Sequence, residues 1–94
     1  MKEQDIINII NLIEHPYITL SLKELGILSY LKLDATKITV IFALPDITMP
    51  DRKDLANSVK IIAESFGYKF EYDFRPMNKE EIKVYLDKSE NNII

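Results

Sequence analysis

Cysteine and tryptophan are absent from this 94-residue chain, which contains one histidine and two glycines. Without cysteine, the chain can form no disulfide, no thiolate metal site and no thiol nucleophile of its own. A single histidine in a chain without cysteine also excludes the usual zinc ligand sets. Long hydrophobic runs are absent as well, because the longest, 40–45, is far too short to cross a membrane. These absences predict a protein that acts without a metal, a cofactor or a membrane partner.

The remaining composition is typical of a small globular domain. Apolar residues make up 47% of the chain and charged residues 29%, so a core can form without disorder. At this length we expect a single domain that spans 1–94. The net charge of −3 argues against nucleic acid as a partner, because phosphate binding needs a clustered basic face. The start of the chain, MKEQD, lacks the basic segment of a signal peptide, and we expect a cytoplasmic protein.

Apolar periodicity predicts a first helix over 4–14, with isoleucines at four positions of one helical stripe. Pro16 is expected to end this helix. Further along, Ser21 and Glu24 can cap a short helical turn, and Gly26 is a natural terminator for it.

Three segments have the composition and the alternation of strands. Segments 27–34 and 37–44 are separated by only two residues, which predicts an antiparallel hairpin. The second segment is apolar on both faces, so we expect it to be central in the sheet. Residues 68–75 alternate aromatic with charged side chains, which indicates a strand that is covered on one face only.

The aromatic row of that third segment allows two interpretations. Its members are Tyr68, Phe70, Tyr72 and Phe74. Such a row can stack on the bases of single-stranded nucleic acid, or it can pack against a core. Acidic residues on the opposite face cancel any basic field, so core packing is the preferred interpretation.

Two further helices are predicted, over 51–66 and 78–89. Asp51 is expected to cap the first helix, and Asn78 with Glu81 forms a capping box for the second. The apolar stripe of the first helix consists of Leu55, Val59, Ile62 and Phe66. The inward side chains of the second are expected to be Ile82, Tyr85 and Leu86.

These elements define an α/β (α+β) fold with two layers. We expect a three-stranded sheet with the helices packed mainly on one face, in the order α-β-β-α-β-α. The core of the domain is expected over 5–75, followed by the C-terminal helix and a frayed tail over 90–94. The strand order beyond the hairpin stays open.

The loop after the central strand is the candidate functional segment, because many small α/β domains place their chemistry there. It contains Pro45, Asp46, Met49 and Pro50, and Asp51 follows at the start of the helix. No cysteine, histidine, serine or glycine lies in this loop. No nucleophile–base pair can be drawn from the sequence, so we expect no catalytic residue and no enzyme.

Two groups of titratable residues have alternative interpretations. The carboxylates of Asp46, Asp51 and Asp54 could bind a divalent metal, but their spacing matches no calcium loop and the capping role explains Asp51. His15 could act as a proton shuttle. It could also be an ordinary residue at a helix end, where the negative end of the helix dipole favours it.

Residues 5–75 resemble the small iron–sulfur cluster assembly domain of SufT and PaaD, which also forms the N-terminal domain of Mrp/ApbC-type ATPases. That family has an apolar first helix, an Asp-Pro element, a Leu-Gly turn into a hairpin, a Cys-Pro helix start and a final strand. The corresponding segments here are Glu14-His15-Pro16-Tyr17, Leu25-Gly26, the hairpin 27–44, Met49-Pro50 and Phe66-Gly67-Tyr68. Met77-Asn78-Lys79-Glu80-Glu81 is similar to a segment that follows the domain in some Mrp-type chains. Two departures stand out: His15 interrupts the Asp-Pro element, and Met49 occupies the position of the family cysteine.

The resemblance implies a non-enzymatic accessory domain of iron–sulfur cluster assembly. Without the cysteine, such a domain would act through protein contacts, and its partner would be an iron–sulfur scaffold or carrier protein. A general protein-interaction or structural module, unrelated to iron and sulfur, is the alternative. Homodimer formation is left open by the sequence.

Overall fold

Three helices and a three-stranded mixed sheet form the fold in the computed structural model, which describes residues 3–15 and 18–92. The elements in chain order are α1 (Glu3–Asn11), β1 (Leu28–Leu33), β2 (Lys37–Leu44), α2 (Arg52–Ser65), β3 (Lys69–Pro76) and α3 (Lys79–Asn91). The predicted class and the predicted order α-β-β-α-β-α are both confirmed.

Strand β2 is the centre of the sheet, as its apolar faces predicted. It pairs with β1 as an antiparallel hairpin, with Leu33 opposite Ile38, and a bulge lies between Leu28 and Tyr30. On its other side it pairs with β3 in parallel. A parallel neighbour cannot be reached by a tight turn, and α2 supplies the crossover. The sheet order is therefore β1-β2-β3, with β1 and β3 at the edges.

The core lies between the helices and one face of the sheet. On β2, alternate side chains on the helix side are fully buried, whereas Thr39 and Ile41 on the opposite face are partly exposed. The buried apolar residues are Ile6, Ile10, Ile18, Leu22, Leu25, Ile27, Ile38, Val40, Phe42, Ala43, Leu44, Leu55, Ala56, Val59, Ala63, Met77 and Tyr85. This distribution agrees with helices that pack mainly on one face.

Helix α1 ends at Asn11, three residues before the predicted end. The amides of Leu12 and Ile13 donate to carbonyls three residues earlier, at 3.1 and 3.2 Å, which is the tightened geometry of a helix end. Glu14 then forms an antiparallel bridge with Ser21. Pro16, which was expected to end the helix, lies outside the described residues.

The connection from α1 to β1 belongs to the core. Leu22 and Leu25 in this connection are fully or almost fully buried. The predicted turn is confirmed, because the amide of Glu24 donates to the Ser21 hydroxyl at 3.1 Å. Gly26 ends the turn at φ 79°, a left-handed conformation that glycine adopts without the steric cost of a Cβ.

The prediction that Asp51 caps α2 with its side chain is wrong. Its backbone is already helical, at φ −80° and ψ −2°, and its side chain makes no capping hydrogen bond. A capping side chain normally needs an extended backbone to reach the free amides of the first turn. The carboxylate of Asp51 is therefore available for contacts outside the helix.

Helix α3 begins with the predicted capping box. Asn78 accepts from the amide of Glu81 at 2.8 Å, and the Glu81 carboxylate accepts from the amide of Asn78 at 3.0 Å. Leu86 was predicted to face inward, but it is 48% exposed. Ser89 is buried instead, since the inward stripe continues from Tyr85 at a spacing of four residues. The helix continues to Asn91, inside the predicted tail, and positions 93 and 94 lie outside the described residues.

Arg75 joins the end of β3 to two other elements. Its Nε donates to the Ser29 hydroxyl at 3.0 Å, and its two terminal nitrogens donate to the Glu81 carboxylate at 2.9 and 2.8 Å. The hydrogen bonds from Arg75, together with the one from the Asn78 amide, lower the pKa of Glu81 to about 2. A bidentate pair of this kind fixes direction as well as distance, so it orients α3 against the sheet.

The aromatic row of β3 is only partly covered. Tyr68, Phe70 and Phe74 are half-buried and pack against the core, as predicted. Tyr72 is 47% exposed, although it lies on the same face. Tyr72 lines an open cavity between α2 and β3, so the helix leaves its ring partly uncovered. Within residues 3–15 and 18–92, no helix has the length and apolar character needed to span a bilayer.

Candidate functional site

The loop between β2 and α2 is held by its own hydrogen bonds. The Asp46 carboxylate accepts from the amide of Thr48 at 2.9 Å and from its hydroxyl at 2.7 Å. These two hydrogen bonds lower the pKa of Asp46. The amide of Met49 then donates to the carbonyl of Asp46 at 3.2 Å and closes the turn. Asp46 therefore has a structural role in shaping the loop.

Met49 occupies the centre of the candidate segment. Its side chain is half-buried and packs against the core. Its carbonyl accepts from the Arg52 guanidinium at 2.9 Å, which ties the loop to the first turn of α2. Of the two prolines in this loop, Pro45 is half-buried and Pro50 is exposed.

Asp51 lies close to the single histidine. The Nε2 atom of His15 is 4.0 Å from a carboxylate oxygen of Asp51, and the two side chains are 3% and 20% exposed. Burial lowers the pKa of His15, and the nearby charge of Asp51 opposes this effect only in part. The imidazole is therefore neutral at neutral pH, beside a carboxylate that is partly open to solvent.

Tyr85 completes this cluster from helix α3. It is buried, and burial raises the pKa of its hydroxyl, with a smaller contribution from the negative charge of Asp51. The cluster of His15, Asp51 and Tyr85 thus joins the segment after α1, the start of α2 and the middle of α3. A neutral imidazole beside a carboxylate can hold or exchange a proton. Among the residues that the structure describes, no three His, Cys, Asp or Glu side chains are grouped as metal ligands.

The structure brings together some of the predicted site residues and separates others. Met49 and Asp51 lie on the same loop and helix start, whereas Asp46 is exposed and engaged within its turn. His15 is not a helix-end residue, because α1 ends four positions earlier, at Asn11. Its proximity to Asp51 was not predicted, since no local pattern links positions so far apart. Tyr85 was predicted as a core residue, and its burial agrees with that interpretation.

The stability of the protein should fall as the pH drops below about 6.5, through the titration of His15. The ordinary pKa of histidine is 6.5, and burial lowers it in the folded protein, so the unfolded chain binds a proton first. The variant His15→Gln, which cannot titrate, should show a flatter profile between about pH 6.5 and 5. Urea unfolding at a series of pH values measures this. Parallel profiles for the two proteins would contradict it.

Three surface cavities lie away from this cluster. One of about 280 Å³ lies between α2 and β3, and one of about 300 Å³ lies between residues 23–26 and α3. The third, of about 700 Å³, is an open depression on the outer side of α3. None of the three is lined by His15 or Asp51.

The fold and the loop define a small α+β domain with its candidate site at the start of the second helix. No protein-family model matches the sequence, and no curated protein matches it. Among solved structures, the chain is similar to the crystal structure of a domain of unknown function, DUF59, from Bacillus anthracis. The TM-score is 0.67 at 16% sequence identity, over 90% of this chain and 91% of that one. At this identity the likeness shows a shared fold.

Proposed function

We propose that this chain is a non-enzymatic accessory domain of iron–sulfur cluster assembly, which acts through protein contacts and without a cluster ligand of its own. One observation carries the proposal: a DUF59 fold extends over 90% of the chain, while Met49 stands at the position where the resemblance expects cysteine. The SufT- and PaaD-like assembly domains belong to the DUF59 family. The shared fold is compatible with the resemblance of residues 5–75 to that domain.

The chemistry of the loop supports a role in which the domain binds no iron–sulfur cluster. A thioether is a neutral, weak ligand, and iron–sulfur clusters are held by thiolates. The chain has no cysteine at any other position. The loop also keeps its shape through Asp46, Thr48 and Arg52, so it needs no bound metal to order it. What remains for such a domain is recognition of another protein.

The purified protein should stay colourless after anaerobic incubation with ferrous iron and sulfide, followed by desalting. The absence of thiolates leaves nothing to retain a cluster. Iron and sulfide content, with the visible absorbance spectrum, measures the outcome. A stable cluster at one per chain would refute the claim that Met49 disables ligation.

The protein should capture purified scaffold or carrier proteins of cluster assembly. The immobilised chain of residues 1–94 is the bait, and an unrelated domain of similar charge is the control. The variant Met49→Leu removes the loop sulfur at similar volume, so it should capture them equally well. No enrichment of any assembly protein would count against the proposed function.

A general interaction module, which would use the loop 45–50 and α3, is the second candidate. The apolar side chains of Val84 and Leu86, which α3 leaves 48% exposed, favour it. Such a module would bind partners outside iron–sulfur metabolism or associate with itself. Light scattering over a concentration series separates the two cases. A tight dimer that uses the surface of α3 would favour a structural role over the accessory role.

A further inference from the structure

Strand β3 leaves one of its edges open. Within the described part of the chain it pairs with β2 alone. The amides of Lys69 and Met77 donate toward β2, to Thr36 at 2.9 Å and to Leu44 at 2.8 Å. Because backbone groups alternate along a strand, the amides and carbonyls of residues 70, 72 and 74 point to the open edge. Such an edge is a template for another strand.

The C-terminal half of this edge is protected by a side chain. A carboxylate oxygen of Asp73 accepts from the amide of Phe74 at 2.8 Å, which occupies an outward donor. Pro76 at the end of the strand has no amide to offer. The open stretch is therefore the part that includes Phe70 and Tyr72.

A cationic cavity of about 280 Å³ lies beside this stretch, between α2 and β3. Its lining consists of Lys53, Asp54, Ala56, Asn57, Lys60 and Tyr72. The two lysines form no ion pair with any residue that the structure describes. They outnumber the single carboxylate of the lining, in a chain whose net charge is −3. The cavity is therefore a local cationic site next to exposed backbone donors and acceptors.

We propose that the open edge of β3 and this cavity bind an extended acidic segment of a partner protein. The segment adds a strand beside Phe70 and Tyr72, and its carboxylates at alternate positions face Lys53 and Lys60. The lysines are two helical turns apart, about 10 Å along the axis, and alternate strand residues are about 7 Å apart. Lysine side chains are long and flexible enough to span that difference. Main-chain hydrogen bonds supply affinity, and the charges supply selectivity.

A second copy of this chain fits the same surface less well. Two β3 strands that pair in antiparallel fashion across a twofold axis place both α2 helices on the same side of the joined sheet. The lysines of the two cavities would then face each other, and like charges in close approach destabilise an interface. On that side, the added strand would offer Phe70 and Tyr72 rather than carboxylates. Charge complementarity therefore favours an acidic partner.

A fluorescein-labelled heptapeptide with glutamate at alternate positions, separated by threonine, is a direct probe. Fluorescence anisotropy should show saturable binding that weakens with salt, and the peptide with glutamine in place of glutamate should bind at least about tenfold more weakly. The double variant Lys53→Glu/Lys60→Glu should lose at least about tenfold in affinity. The matched double variant Lys32→Glu/Lys79→Glu, which changes the same charge at exposed positions elsewhere, should bind as the parent does.

The contribution of the edge is isolated by two variants at one position. Tyr72→Ala removes the ring, and Tyr72→Pro also removes the outward amide while it leaves the ladder to β2 intact. The proline variant should bind about tenfold more weakly than the alanine variant. Circular dichroism of both variants checks that the fold is retained.

The inference deepens the proposed role in protein contact and rests on it. No iron–sulfur protein is present in the peptide assay, so peptide binding can fail while scaffold capture succeeds, and the reverse can also occur. No binding at about 1 mM peptide would overturn the inference. Equal binding of the glutamine peptide would overturn it too. In an NMR titration with the peptide, shifts of the amide signals at residues 23–26 instead of 70–72 would also overturn the inference. A tight dimer that the Tyr72→Pro variant dissociates would do the same.

Discussion

Replacement of Phe42 with alanine is expected to lower the free energy of unfolding by about 3–5 kcal/mol. Phe42 is fully buried in β2, and its ring centroid lies 5.7 Å from that of Phe74 and 6.2 Å from that of Tyr72. The truncation removes buried apolar surface and leaves a cavity. Because β2 is paired on both sides, the backbone around that cavity can collapse only in part. The total stability of a domain of this size is about 5–15 kcal/mol, so the variant would be close to unfolding.

Urea unfolding monitored by circular dichroism measures this loss. Phe42→Leu keeps most of the volume and should cost about 1–2 kcal/mol, which preserves a measurable fold if the alanine variant does not fold. Tyr30→Ala is the matched control, since Tyr30 lies in the same sheet but is 46% exposed. It should cost less than about 1 kcal/mol. Equal losses at the two positions would mean that the assignment of the buried face of β2 is wrong.

The elements that local chemistry specifies were the ones that the sequence predicted well. Strand β2 is apolar on both faces, and this property correctly indicated a central strand. The capping box of Asn78 and Glu81 involves residues three positions apart, so it is visible without tertiary information. The turn that ends at Gly26 depends in the same way on neighbours along the chain.

Predictions failed where tertiary contacts override local preference. Asp51 is a good capping residue by type, yet its backbone is helical and its carboxylate faces His15. Leu86 follows Tyr85 directly on α3, and only the packing of that helix determines which of the two points inward. Parallel pairing of β3 could not be inferred either, because its alternation of side chains is the same in both directions.

The position of the candidate loop in the fold could be predicted from the sequence, but the residues that meet beside it could not. The loop that contains Met49 follows the central strand, as expected, and its functional role stays a prediction. His15 and Tyr85 lie more than 30 positions from Asp51 in the sequence, one before it and one after it, and only the fold brings them near it. No periodicity or spacing in the chain encodes contacts of that separation. The cluster is a product of how α3 and the α1–β1 connection meet at the start of α2.

The loop geometry also shows which interactions at position 49 hold the fold. The turn is closed by Asp46 and Thr48, and the guanidinium of Arg52 binds the carbonyl of Met49. The side chain of Met49 contributes packing against the core, which any apolar group of similar volume can supply. Local hydrogen bonds and packing therefore maintain the shape of the loop, so the side chain at position 49 can differ in its chemistry without a change in that shape.

Replacement of Leu22 with alanine should lower the free energy of unfolding by about 3–5 kcal/mol, although Leu22 lies in neither a helix nor a strand. Its side chain is fully buried. Its amide donates to Ile13 at 2.8 Å, and its carbonyl accepts from Ile27 at 2.9 Å, so the backbone around it is fixed at both ends. A site held in this way cannot relax to fill the space that the truncation leaves.

The matched control for this prediction is Leu12→Ala, the same truncation at a position that is 74% exposed. It should change stability by less than about 0.5 kcal/mol. Urea unfolding of both variants gives the difference in the free energy of unfolding directly, provided that the slope of this free energy against urea concentration is the same for both. A loss below about 1 kcal/mol at Leu22 would mean that the connection between α1 and β1 is a surface loop. A loss in the expected range would make it a part of the core, which supports β1 and, through the segment at His15, the start of α2.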